Sequence, residues 1–155
     1  MQFVGFTLGE DFFGAAIPMV QEIIRTAPVI SLPNAPDFVD GVIHLRTSII
    51  PHINMRKRLD INHTHTETGK SRFLVLDIHG TTASIMVDSV TGIHNAEYPH
   101  IETDASPTGL AGNRYVKGIS SVGELQMKIL DFDRILDSGK RSQLGSIGNG
   151  HERTI

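Results

Sequence analysis

Phe3-Val4-Gly5-Phe6-Thr7-Leu8 and Phe73-Leu74-Val75-Leu76-Asp77-Ile78 read as two copies of one strand, 70 residues apart. At the same spacing Ile17 falls on Val87, Val20 on Val90 and Ile23 on Ile93. A second block, Phe38-Val39-Asp40-Gly41-Val42, matches Tyr115-Val116-Lys117-Gly118-Ile119 at a spacing of 77. It carries Ile50 onto Met127, Ile53 onto Leu130, Asn54 onto Asp131 and Leu59 onto Leu136. The seven extra residues lie between the blocks, where 25–37 answer to the longer 95–114. A chain made of two copies of a small unit offers partners the surfaces of those units, or the seam between them.

The local signals inside each copy are short strands. Val4, Phe6 and Leu8 alternate with Phe3, Gly5 and Thr7, and Leu74, Leu76 and Ile78 repeat the pattern. Gly9-Glu10-Asp11 and His79-Gly80 supply turn chemistry at corresponding places, which predicts hairpins with return strands Phe12–Ile17 and Thr82–Asp88. Later in each copy a strand pair follows: Gly41–Leu45 with Ser48–Ile53 across Arg46-Thr47, and Gly118–Val122 with Leu125–Leu130 across Gly123-Glu124. Each pair runs into a short helix, Met55–Leu59 or Phe132–Leu136, opened by Asn54 or Asp131. The side-chain oxygens of those two residues can accept a free N–H of the first turn. Regularly spaced strands with glycine-rich turns predict a mainly β protein of two small barrels rather than a parallel sheet.

The domain is expected over 1–138, with the polar run Asp60–Ser71 as the joint between barrels, near 60–72. From 139 to 155 the composition turns to Gly, Ser, Asn and charge and predicts a flexible C-terminal tail. Its removal is expected to leave folding and partner binding unchanged.

Composition narrows the function. The 155 residues contain no cysteine, which excludes disulfides, a thiol nucleophile and thiolate metal sites. Net charge is −3, from 14 basic and 17 acidic residues, without the one-sided basic balance of a nucleic-acid binder. The first strand begins at once after Met1, no signal peptide is recognisable, and no apolar run approaches the roughly 20 residues of a bilayer span. A cytoplasmic protein without membrane insertion is therefore expected.

Sites of chemistry are poorly supported. His63-x-His65 offers two ligands in the joint, where zinc wants three or four, and His44 and His52 match Ser121 and Ile129 in the other copy. There is no Gly-x-Ser-x-Gly elbow around a serine such as Ser84 or Ser89. Gly109-Leu110-Ala111-Gly112-Asn113 precedes a strand rather than a helix and reads as a surface loop. Arg56-Lys57-Arg58 reads as a solvated face. No enzyme activity, no catalytic or metal-binding residue and no cofactor is expected.

Val20-Gln21-Glu22-Ile23, Pro33-Asn34-Ala35-Pro36-Asp37-Phe38 and Gly41-Val42-Ile43-His44-Leu45-Arg46 resemble the CheW-like domain of chemotaxis coupling proteins. Val87-Asp88-Ser89-Val90 and Tyr115-Val116-Lys117-Gly118-Ile119 are similar to that family's second half, so the resemblance covers roughly 2–137. It implies two pseudo-repeated SH3-like five-stranded β-barrel subdomains with short helices. It also implies an adaptor that couples methyl-accepting chemotaxis receptors to the histidine kinase CheA and is recruited to membrane-associated receptor arrays.

Such a bridge needs two surfaces: an apolar groove between the barrels for a helical receptor tip, and a barrel end for the kinase. The resemblance assigns Val20, Glu22, Ile23, Arg46 and Val90 to the receptor side, with Arg46 pairing to Glu22. It assigns Asn34, Phe38 and Gly41 to the kinase side. Ordinary core packing is the competing role for Val20, Ile23 and Val90, an exposed ion pair that for Glu22 and Arg46, and a backbone requirement that for Gly41. His44-Leu45-Arg46-Thr47 departs from the family's Asn-Leu-Arg-Gly. That places a β-branched residue, Thr47, where the family's glycine predicts a positive φ. His52 and Asn54 also depart from the commoner Val and Asp. The alternatives are a coupling homologue in another chemosensory-type pathway such as surface motility, or a barrel pair binding a metal or small ligand through its histidines.

Overall fold

Four hairpins form where period-2 alternation meets a two-residue turn, and they supply eight of the ten strands among the described residues. The computed structural model describes residues 1–61, 69–96 and 115–152. Within these, the strands are β1 (Gln2–Leu8), β2 (Asp11–Ala16), β3 (Val20–Arg25), β4 (Val39–Leu45), β5 (Ser48–Ile53), β6 (Arg72–Ile78), β7 (Thr81–Val87), β8 (Ser89–Asn95), β9 (Val116–Val122) and β10 (Leu125–Leu130). The helices are α1 (Met55–Arg58), α2 (Phe132–Ile135) and α3 (Ser138–Glu152). Asn54 Oδ1 accepts from the Lys57 amide at 2.9 Å and Asp131 Oδ1 from the Arg134 amide at 3.3 Å, so both expected caps form.

The strands sort into two five-stranded sheets with the same plan. Barrel 1 has the order β8-β1-β2-β10-β9 and barrel 2 the order β3-β6-β7-β5-β4. Among the described residues neither ladder closes on itself, and register shifts at Gly5/Phe6, Val20/Glu22, Val39/Gly41 and Ile129/Leu130 bend the strands.

Neither barrel is one half of the sequence. Barrel 1 combines the β1–β2 hairpin with β8, β9 and β10, and barrel 2 combines the β6–β7 hairpin with β3, β4 and β5. The run near 60–72 therefore is not the joint: it connects β5 to β6 inside barrel 2. The true crossings are the 3₁₀ turn Ile17–Met19 and the single residue Asp88.

Connection length explains the exchange. β3 lies antiparallel to β6, itself antiparallel to β7, so it points the same way as the hairpin's return strand. To sit beside its own β1, it would have to start again at the far end of β2. That means retracing a strand of about 20 Å, and three residues reach only about 10 Å. β3 therefore runs straight on into the other barrel, and Asp88 imposes the same on β8.

Because the barrels pack on each other, strands β1 and β6 are buried on both faces. Phe3 faces a small cluster inside barrel 1 with Met127 and Ile129, while Phe6 and Leu8 face the opposite way. In barrel 2, Phe73 and Val75 join Ile43 and Ile50 inside, and Leu74, Leu76 and Ile78 face out. These outward residues meet between the barrels in one cluster with Phe13, Ile85, Val87, Met55, Leu59 and Phe132. Truncating a Leu there is worth about 2–5 kcal/mol.

Two expectations are corrected. Arg56-Lys57-Arg58 is not a solvated face. Arg56 Nη2 donates to both Asp88 oxygens at 2.5 and 2.7 Å, and Asp88 Oδ2 also accepts from the Gly9 amide at 2.8 Å. Arg58 Nε donates to the Ile135 carbonyl at 2.9 Å, with its guanidinium 4.9 Å from the centre of the Tyr115 ring. The segment from 139, expected as a tail, carries α3, which packs on β5 and β7. Leu144 is only 1% exposed and belongs to the central cluster, so removing 139–155 would uncover core.

Candidate partner-docking site

β3 and the β4–β5 turn bring together two residues 24 positions apart. Arg46 Nη1 donates to Glu22 Oε2 at 2.6 Å and Nη2 to Glu22 Oε1 at 2.7 Å, a bidentate fork. These hydrogen bonds, and then the guanidinium charge, hold the Glu22 carboxyl below its ordinary range. The same contacts raise Arg46. Both groups are reachable from solvent, with side chains 68% and 30% exposed for Arg46 and Glu22.

The backbone sets this geometry. Arg46 has φ +56, in the left-handed region, where a non-glycine residue costs about 1–2 kcal/mol. Thr47, the residue expected to need a positive φ, does not have one; the preceding arginine does. The matching turn in barrel 1 puts Gly123 there, at φ +62.

The pair borders a groove of about 580 Å³, lined by Gln21, Leu45 to Pro51, Gly80, Thr81, Thr82 and, from α3, Leu144 and Gly145. This groove belongs to the end of barrel 2 beneath α3, not to the seam between the barrels. Its threonines and α3 residues had no local signature, because the lining forms only when β3, the β4–β5 hairpin, β7 and α3 converge.

The other expected receptor-side residues separate. Val20 and Val90 are half-buried on β3 and β8 and pack against the central cluster, so part of each serves the core. Ile23 is 43% exposed on edge strand β3, and its repeat partner Ile93 is 62% exposed on edge strand β8.

On the kinase side, Asn34 is exposed at φ +62, a conformation asparagine tolerates. Phe38 is buried in the central cluster, with Lys140 Nζ 5.9 Å from its ring centre. Gly41 is required by its neighbours: a Cβ there would lie 2.1 Å from the Ile30 carbonyl oxygen, where Ile30 and Val42 exchange backbone hydrogen bonds of 2.8 and 2.9 Å. Of these three, Asn34 alone presents an exposed side chain.

Among the described residues the histidines do not converge. His52 is buried, bonds Ser84 Oγ through Nδ1 at 2.8 Å and lies 4.5 Å from the Phe73 ring centre, while His44 is exposed. His63 and His65 lie outside the described residues, as does the loop 109–113. Among the described residues no group of three or more His, Cys, Asp or Glu could hold a metal ion. None of the described helices is long and apolar enough to cross a membrane.

The fold is a pair of intertwined SH3-like barrels, with an exposed ion-pair fork on one turn. The chain belongs to the CheW-like domain family, whose model matches residues 2–140. The "Chemotaxis protein CheW" of Treponema pallidum (strain Nichols) is 27% identical over 149 residues, covering 94% of this chain and 88% of that protein. The protein of the same name from Klebsiella aerogenes is 26% identical over 150 residues, covering 97% and 90%. The crystal structure of the scaffolding protein TtCheW from Thermoanaerobacter tengcongensis superposes with a TM-score of 0.77 at 27% identity, covering 90% of this chain and 89% of that one.

Proposed function

We propose that this chain is a coupling adaptor that holds methyl-accepting chemotaxis receptors and the histidine kinase CheA in one complex at membrane-associated arrays. The observation that carries the reading is the Glu22–Arg46 fork. A bidentate pair on a strained, exposed turn does little for folding, since exposed pairs contribute little and left-handed arginine opposes the turn. Strain of this kind gathers where a surface is used. The fork keeps both side chains in one planar orientation at the rim of a groove, ready for a helical receptor tip. Ile23 adds exposed apolar surface beside it, and Val20 and Val90 set the spacing of β3 and β8 on the central cluster. Asn34 offers the kinase a fixed polar contact, with Phe38 and Gly41 holding the loop that carries it.

Co-sedimentation with receptor-bearing membranes and CheA from the same cell tests this. The wild-type chain should bring soluble kinase down with the membranes. Glu22→Ala and Arg46→Ala should each weaken recovery on receptor membranes severalfold, with kinase binding in solution unchanged. Asn34→Ala should do the reverse. A wild-type chain that sediments with neither partner would end the reading.

A further inference from the structure

α3 is a weak helix in a demanding place. Its sequence, Ser138-Gly139-Lys140-Arg141-Ser142-Gln143-Leu144-Gly145 and onward, includes Gly139, Gly145, Gly148 and Gly150. Glycine weakens a helix interior relative to alanine. Close packing explains neither of the first two glycines: a Cβ at Gly145 meets nothing within 4 Å, and one at Gly139 meets only Asp137 Oδ1, at 3.5 Å.

What holds the helix is uneven. Its first turn is well anchored, with the Lys140 amide donating to Asp137 Oδ1 at 3.0 Å and Arg141 Nη1 to the Leu136 carbonyl at 2.8 Å. Beyond that turn the apolar anchors among its described side chains are Leu144, fully buried, and Ile147, partly buried, one turn apart on one face. Leu144 and Gly145 also form a wall of the groove that Glu22 and Arg46 border.

We propose that α3 is a displaceable cover. Leu144 occupies the apolar seat over β5 and β7 that an apolar side chain of the partner's amphipathic helix takes on docking beside Glu22 and Arg46. This rests on the adaptor reading above. The fit comes from the present occupant: the seat already holds one leucine of a helix with polar flanks, and the rim of Gln21, Thr47, Ser48 and Thr82 suits such flanks. Docking then draws on the fraction of molecules in which α3 is open, and apparent affinity scales with that fraction.

The test uses the full chain, hydrogen exchange and titration onto receptor-bearing membranes. Gly145→Ala should slow amide exchange over 138–147 by about fivefold and weaken receptor binding by the same factor. Gly139→Ala, outside the groove lining, should shift both readouts together, which excludes a direct contact effect at 145. Leu144→Ser should speed exchange and tighten binding; if it unfolds the chain, the glycine variants still decide. Glycine-variant binding that stays within twofold of wild type while exchange slows overturns the cover and leaves the adaptor intact. Exchange of α3 in the wild type as slow as that of β6 also overturns it. No receptor binding by any chain, wild type included, overturns both.

Discussion

Barrel 1 makes its two hairpin turns with Gly9 and Gly123 in the left-handed conformation, and barrel 2 makes the corresponding turns with His79 and Arg46. Glycine enters that region freely, and other residues do so at a cost. The two strained side chains are both used: Arg46 forks onto Glu22, and His79 Nε2 meets Asp133 Oδ1 at 2.5 Å. Barrel 1 thus has the turns that cost least, and barrel 2 has turns whose strained residues each hold a carboxylate.

The interiors differ in the same sense. Where β10 meets β2, Ile129 lies opposite Gly14; where β5 meets β7, His52 lies opposite Ser84. One position of the repeat is apolar in one barrel and a buried polar pair in the other.

The largest effect should come from that pair. Burial, partly opposed by the charge of Asp40, pushes the His52 pKa down to about 4 from its ordinary 6.5. Between those values the unfolded chain binds a proton that the folded chain refuses. Stability is therefore full above pH 6.5, declines as the pH falls towards 4, and levels off below. The loss is about 3 kcal/mol in chemical denaturation measured across that range. His52→Ile, which copies barrel 1, should flatten the dependence; an unchanged slope would show that His52 is not its source.

Arg56 and Asp133 occupy matching helix positions, with very different settings. Arg56 and Asp88 are 15% and 23% exposed and tie α1 to the β1–β2 turn, whereas His79 and Asp133 are 61% and 63% exposed. Arg56→Ala should lower unfolding free energy by about 2 kcal/mol. Equal losses for Arg56→Ala and Asp133→Ala would contradict this division.

Arg46→Gly, which transplants the barrel 1 turn, should raise the melting temperature by roughly 2–4 °C while reducing receptor binding severalfold. A fall in melting temperature would mean that the ion pair outweighs the backbone strain. The smallest effect belongs to Asp133→Ala, below about 1 kcal/mol in the same denaturation assay.

Legibility in the sequence followed the range of each interaction. The hairpins and both caps were readable because their hydrogen bonds join neighbours in the chain, and the turn at Arg46-Thr47 was readable while its strained residue was not. β3 and β8 carried weaker signals, since an edge strand with alternate exposed residues, such as Ile23 and Arg25, lacks a solid apolar face. The Glu22–Arg46 pair came through family resemblance, whereas Arg56–Asp88 carried no local mark. α3 was read as a tail because four glycines outweigh Leu144 and Ile147 in any local count, and only the seat on β5 and β7 makes those two decisive.

By itself, then, the sequence determined that the chain is a duplicated β unit and which residues form each hairpin, turn and cap. The tertiary structure decided which copy completes which barrel, because two copies with like patterns offer each strand two equivalent partners. The short crossings at Ile17–Met19 and Asp88 break that tie, and their effect appears only once the strands have direction and length in space. The same holds for His52, whose lowered pKa depends on its burial in the folded barrel, and for the groove, whose walls come from β3, β5, β7 and α3.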